Sequence, residues 1–390
     1  MHDIPAKARH ALLRQRDGHH AKVAFEELFF DLVYVFAVTQ LAHGLVHHLS
    51  LMGAVETLVL WFAVWLGWQY TAWVTNWFDP ETPRIRGLLF ATMLIGLVMG
   101  AAIPDAFGDR GFIFAGAFVL MQVGRSAVVL VHLRGHALFY NYRRILIWGL
   151  IAAVFWIAGA FAHHEWRIIL WACAVLCDYI SPMIGFRLPG LGRSVTSDWT
   201  IEGGHLVERC HLFVIVALGE TVLATGLPLS RAETWDAATL LAVLSTFLGT
   251  LVMWWLYFGT SSKDATAVIT KSDDPGRMGA YFHYVHVILI GGVIVSAVGN
   301  DLTLAHPHEV PGTAQAIAMV AGPAIYLFGS ILYKKAVYGV VALSHVVGVA
   351  VLAALFFAGA FTDLLVMSGL TTAVMIAIAI WEDRKRRCLP

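Results

Sequence analysis

Two carboxylates one helical turn apart open the first long apolar stretch of the chain, "FEELFFDLVYVFAVTQLAHGL". Glu27 and Asp31 stand at i and i+4 and so share a helix face. Gln40, His43 and His47 share another. A second stretch, "HLVERCHLFVIVALGETVLATG", carries His205, Glu208, Arg209, His211 and Glu220. Carboxylates and imidazoles in apolar helices can pass protons by changing charge, and buried charges normally face protein or a water-filled cavity. The same residues can also staple two helices through ion pairs. Arg209 and Glu220 share a stripe but lie about 16 Å apart along a helix axis. Each therefore needs a partner on another helix. The carboxylates of the first stretch are the candidates for Arg209, and a polar cavity near Gln40 is the candidate for Glu220. Glu220 has no basic residue within four positions, and Gly219 beside it permits close backbone approach. Asp178, His283 and His286 join the candidate ion or proton path. Arg125 and His345 are further polar groups in apolar surroundings. Near Asp178, Ser181 and Pro182 suggest a kinked helix whose freed backbone groups the carboxylate satisfies.

Other chemistries have less support. "WFAVWLGWQYTAWVTNW" reads chiefly as interfacial and packing tryptophan, with Trp65, Trp68, Gln69 and Trp73 as a candidate aromatic substrate cage. His47–His48, His163–His164, His306 and His308 fall in connecting loops, two groups beside Glu165 and Glu309, without a chelating motif. No metal site and no cofactor is expected. Cys173, Cys177, Cys210 and Cys388 form neither a disulfide framework nor a zinc pattern and read as buried small residues.

The elements that must position these groups follow from composition. Of 390 residues, 59% are hydrophobic and only 13% charged; mean hydropathy is +0.72. So few charges cannot cover a soluble surface, and the expected class is an all-α, polytopic integral membrane protein embedded in a lipid bilayer. The formal net charge is zero, and no basic domain offers itself to nucleic acid. The polar start of the chain lacks the pattern of a signal peptide.

Twelve spans are expected, over 26–46, 54–77, 86–104, 112–132, 144–162, 166–186, 204–226, 237–259, 279–299, 313–333, 339–360 and 363–381. "NWFDPETPR", "RLPGLGRS" and "KSDDPGR" are among the intervening turns. With the N-terminus in the cytoplasm, the even loops collect the cations, including Arg84, Arg86, Arg143, Arg144, Lys263, Lys271, Lys334 and Lys335. The odd loops hold only Arg110, Arg167 and Arg231. Miscounting one span would scramble this alternation, so it predicts both the number and cytoplasmic termini.

The seventh span opens like the first, and Glu208 aligns with Glu27. Arg-Gly and aromatic features recur in the same order in the two halves. This predicts two parallel six-helix repeats related by an axis along the membrane normal. The domain reading is a cytoplasmic tail over 1–22, one half over 23–197, the other over 198–383, and a basic tail over 384–390.

"ELFFDLVYVFAVTQLAHGL" followed in mid-chain by "HLVERCHLFVIVALGETVLA" resembles the bacterial low-temperature-requirement A family over nearly the whole chain. The resemblance implies a two-half membrane fold and the bacterial inner membrane. One departure is that Cys210 and His211 follow "ER", where the family has an aromatic residue and a glycine. Phe29-Phe30-Asp31 is similar to the Phe-Ser-Asp opening of lysosomal-type potassium channels.

The leading function is a transporter of a small solute, proton-coupled through buried carboxylates and histidines. The alternatives are a channel formed by a homodimer with helices 1 and 7 lining the pore, and a membrane-integral quinone- or haem-binding protein or enzyme. No nucleophile motif or phosphate loop supports an enzyme.

Overall fold

The computed structural model describes residues 12–14, 22–195, 201–232, 234–260, 265–270, 272 and 274–387, without the side chains of 266, 270, 275, 386 and 387. Lys263, Lys271, Cys388 and the division at 197/198 lie outside the described residues, as does most of the tail over 1–22.

The helices in chain order are α1 Phe25–His47, α2 Leu51–Trp77, α3 Pro83–Ala102, α4 Gly111–His132, α5 Leu138–Phe161, α6 His164–Met183 and α7 Gly203–Arg231. Then come α8 Ala237–Trp254, α9 Ala265–Thr270, α10 Pro275–Ala305, α11 Thr313–Tyr338, α12 Leu343–Leu355 and α13 Leu364–Arg387. A π-helical turn, Trp255–Gly259, extends α8, and a 3-10 stretch, Phe356–Phe361, extends α12. Among the described residues twelve helices are long and apolar enough to cross a membrane, and none of the thirteen but α9 is excluded. Near Phe361 two spans are joined by only two residues.

Several helices outrun the expected spans, α7 and α10 among them. α7 continues through Pro228 to Arg231. A proline there keeps a helical φ and forfeits a single hydrogen bond near the helix end. α10 starts at Pro275, where the missing N–H is an orphan of the first turn anyway.

Contacts group the chain into two compact units, one of Met1–Tyr34, Ala63–Arg209 and Asp273–Gly276, the other of Val35–Phe62, Cys210–Ser272 and Arg277–Pro390. The dividing lines fall inside α1, α2 and α7 and near the start of α10.

In the first unit α3 packs on α4, α4 on α5 and α5 on α6. Phe114, Phe118, Trp156 and Trp171 interlock at the centre, with Phe118 and Trp156 ring centroids 4.8 Å apart. The polar N-terminal segment is not wholly solvated. Leu12 is buried against Trp77, Phe78 and Tyr142. Backbone bonds run from Arg14 N to Trp77 O (2.8 Å) and from Asp79 N to Leu12 O (3.0 Å), tying the segment to the end of α2. Arg144, which reads as a loop cation, is buried in α5. It donates to Leu191 O (2.8 Å) and Ser194 Oγ, holding the turn after α6. Arg167, half-buried, donates to Gly108 O at 2.7 Å and Ala106 O at 3.1 Å. Loop cations that satisfy helix-end carbonyls stabilise the connections as well as orienting them.

In the second unit α8 packs on α13, α11 on α12 and α12 on α13. α10 and α11 approach so closely that a Cβ at Gly292 would meet Tyr326 N at 2.4 Å and one at Gly322 would meet Ser296 N at 2.6 Å. Small residues allow this backbone contact, the usual device of helix pairs in lipid. Outward faces carry apolar residues suited to acyl chains, among them Phe90, Leu94 and Leu97 on α3 and Leu240, Leu244 and Leu251 on α8.

Candidate functional site

The N-terminal turn of α1 builds the first cluster, within the first unit. Glu27 occupies the third helical position and accepts the Ala24 N–H at 2.9 Å, the reach-back half of a capping box. Its other oxygen, Oε1, lies 3.2 Å from Arg209 Nη1 and 2.9 Å from His205 Nε2. Arg14 Nη2 donates to Oε2 at 2.7 Å. One turn on, Asp31 Oδ1 accepts from Arg209 Nη2 at 2.6 Å and from Trp68 Nε1 at 2.7 Å. Arg209 also lies 5.7 Å from the Trp68 ring centroid and 5.9 Å from that of Phe30, adding cation–π attraction. Glu27, Asp31 and Arg209 are all fully buried.

Both ring nitrogens of His205 have partners, and Arg14 Nη2 also lies 3.3 Å from Nε2. The Asn76 amide is oriented by Nδ2 donating to Glu202 O (2.8 Å) and Oδ1 accepting from Glu202 N (3.1 Å). The same Nδ2 faces His205 Nδ1 at 3.2 Å, so Nδ1 accepts and Nε2–H donates to Glu27. Two carboxylates thus meet two guanidiniums and a neutral imidazole. The charges balance, and a desolvated set of this kind holds helices in register.

The second cluster, within the second unit, is built differently. Glu220 is buried on α7, and its described hydrogen-bond partner is the Thr39 hydroxyl of α1. Thr39 also lies 3.1 Å from Val35 O. Among the described residues no basic group comes within ion-pair distance of Glu220. Asp301 of α10 is close enough to act on it electrostatically. Threonines continue the polar row: Thr250 donates to Thr221 (2.8 Å) and Thr225 to Thr246 (3.3 Å).

A family model described as bacterial low temperature requirement A protein (LtrA) matches residues 22–380. The chain belongs to the LtrA family. It is a polytopic membrane protein of that family. An uncharacterized protein of Rhizobium meliloti is 37% identical over 374 residues, which span 95% of this chain and 91% of that one. No solved structure matches the chain.

In this LtrA chain the remaining expected residues scatter. Gln40 is half-buried on α1, but the neighbour that meets Glu220 is Thr39, one residue and about 100° away around the helix. His43 is exposed. Glu208 is half-buried, and the carboxylates that pair with Arg209 are Glu27 and Asp31. His211 is half-buried, packed edge-on to Tyr257 with ring centroids 5.5 Å apart. His283 and His286 turn Nδ1 to the carbonyls of Gly279 (2.8 Å) and Phe282 (2.6 Å). This leaves His286 Nε2 to accept from Tyr257 Oη at 2.5 Å. Both imidazoles are core groups, and among the described residues no three His, Cys, Asp or Glu side chains converge as metal ligands.

Asp178 accepts from Trp156 Nε1 at 3.2 Å, so its partner is an indole of α5 and not freed backbone of its own helix. It shares a small cleft with Arg125 and Gln122. Arg125 donates to Thr71 Oγ1 at 2.8 Å and lies 5.5 Å from the Tyr70 ring centroid. Trp65 and Trp68 are fully buried with their rings 4.8 Å apart. Trp68 serves Asp31, a use the cage reading does not contain. Gln69 is buried beside them in sequence and Trp73 half-buried, its ring 5.5 Å from that of Trp77.

Sequence reasoning counted Arg14 only among the cytoplasmic cations, not as a partner of Glu27, and did not name Asn76 or Thr39. It also read Lys334 as a loop cation, whereas Lys334 is buried and pairs with Glu382 of α13. Ser344 donates to Glu382, and His345 lies 3.8 Å from it. The one available signal was His205, four residues before Arg209 and hence on its face.

Proposed function

We propose that the protein is a secondary transporter of a small solute in the bacterial inner membrane, coupled to protons through Glu220. The observation that carries this is a buried carboxyl group whose described partner is a hydroxyl and not a cation. Such a group can take or lose a proton without breaking an ion pair. The Glu27–Asp31–Arg209 cluster, with its charges matched, serves to hold α1 to α7. The basic even loops support cytoplasmic termini, and the recurring order of motifs supports two parallel six-helix halves over 23–197 and 198–383.

The test is flux in proteoliposomes carrying an internal pH dye, challenged with a panel of small solutes. A solute that evokes saturable proton movement, lost in Glu220→Gln, supports the reading. Steady single-channel current without saturation would replace it with the dimeric channel.

A further inference from the structure

A second polar feature of the second unit lies apart from the ion pairs. Residues of α8, α10, α11 and α13 enclose a small cleft lined by Ser296, Asn300, Met319, Pro323, Thr371 and Thr372, among others. It has room for about two water-sized species. Three of the four hydroxyls around it commit their hydrogens to backbone carbonyls, and the fourth, that of Ser368, shares a hydrogen bond with Ser245 Oγ at 2.8 Å. Ser296 donates to Gly292 O (2.8 Å), Thr371 to Ser368 O (3.0 Å) and Thr372 to Ser245 O (3.2 Å). What these side chains have left is oxygen lone pairs.

Two further groups point the same way. Pro323 interrupts α11 and has no N–H to offer the carbonyl of Met319, four residues earlier. Freed carbonyls in membrane helices are satisfied by neighbours, waters or ions lining a cavity. Asn300 Nδ2 is buried with no hydrogen-bond partner among the described residues. Rotation about χ2 exchanges its amino and carbonyl ends, so Asn300 can present oxygen to the cleft as well.

We infer that this cleft binds a dehydrated alkali cation. The lining offers neutral oxygens and few donors, which suits a positive ion better than a solute that must also accept hydrogen bonds. No carboxylate lines the cleft, and a hard divalent ion is usually held by carboxylates. The space suits a small ion and not an organic molecule. The site does not rest on the proton role of Glu220.

The probe is radioactive sodium, measured on the full-length protein in detergent, with choline chloride holding the ionic strength constant. Wild type should bind sodium saturably. Thr371→Val and Ser296→Ala should each weaken binding at least tenfold. Pro323→Ala restores an N–H to the Met319 carbonyl. It should also weaken binding at least tenfold, while melting temperature in choline chloride holds or rises, since a proline-to-alanine change favours the helix. Glu220→Gln should leave sodium affinity unchanged, which separates this site from the transport reading. Non-saturable binding in wild type, or an affinity retained in Thr371→Val and Pro323→Ala alike, overturns the proposal.

Discussion

The same two helices, α1 and α7, carry two buried carboxylate sites of opposite character. In the first unit Glu27 and Asp31 are surrounded by Arg14, Arg209, His205 and Trp68, and every charge has a counter-charge. In the second unit Glu220 has a threonine hydroxyl. Burial alone does not tell a structural carboxylate from a working one, because all three are buried. The partner does. An ion pair locks one charge state, because neutralising either member strands the other in a dry site. A hydroxyl donates to a carboxylate and accepts from a carboxylic acid, so it tolerates both states.

The comparison can be broken most violently at Arg209. Arg209→Ala leaves Asp31 with the Trp68 N–H and no paired cation, and Glu27 with Arg14 and His205, and should cost about 3–5 kcal/mol. The readout is folded yield and melting temperature by fluorescence-detected size-exclusion chromatography. A wild-type melting curve for Arg209→Ala would mean that the cluster is hydrated and not a staple. Arg14→Ala is the next largest. It removes a charged hydrogen bond to Glu27 and one to Thr75 O (2.7 Å), and should cost about 1.5–3 kcal/mol. Protease cleavage near the N-terminus should quicken in parallel, because the same residue pins the tail segment to α2. Cleavage at the wild-type rate would show that Leu12 and the backbone hydrogen bonds anchor the segment without the Arg14 side chain.

Glu220→Gln should change stability by about 1 kcal/mol or less, because the amide keeps both shape and hydrogen bond to Thr39. Under the proposed function its effect falls on proton coupling. Destabilisation as large as that of Arg209→Ala would place Glu220 with the staples.

At the small end, Asp236 provides a carboxylate outside the membrane. It caps α8 by accepting Thr239 N–H at 2.8 Å, and that bond holds its pKa below the ordinary aspartate value. A depressed carboxylate contributes stability above its unfolded pKa and loses it as pH falls through the folded one. Asp236→Ala should therefore loosen the first turn of α8 at neutral pH, and the difference from wild type should fade only in strong acid. Amide exchange near Thr239 measures this. A difference that grows on acidification would contradict the cap.

How far these sites were legible depended on the range of the signal. Helix periodicity placed Glu27 and Asp31 on one face and left Arg209 in need of an acid from another helix, which the structure supplies. The spans were legible because about 20 apolar residues in a row have few other uses. The partner of Glu220 was missed by one residue, Thr39 for Gln40, because helix rotation is set by packing that no single helix encodes. Arg14 and the Lys334–Glu382 pair were missed for another reason. A cation beside a helix end reads as a loop charge until the fold shows which carboxylate lies across from it. Glu382 is 48 residues from Lys334, beyond any local pattern.

The most direct test sets the two sites against each other in one assay. Proton movement evoked by a transported solute is measured in proteoliposomes containing Glu27→Gln or Glu220→Gln, normalised to folded protein. The account predicts that Glu27→Gln lowers the folded fraction but keeps proton coupling per folded molecule, while Glu220→Gln folds normally and has none. Coupling that survives in Glu220→Gln, or that disappears per folded molecule in Glu27→Gln, would contradict it.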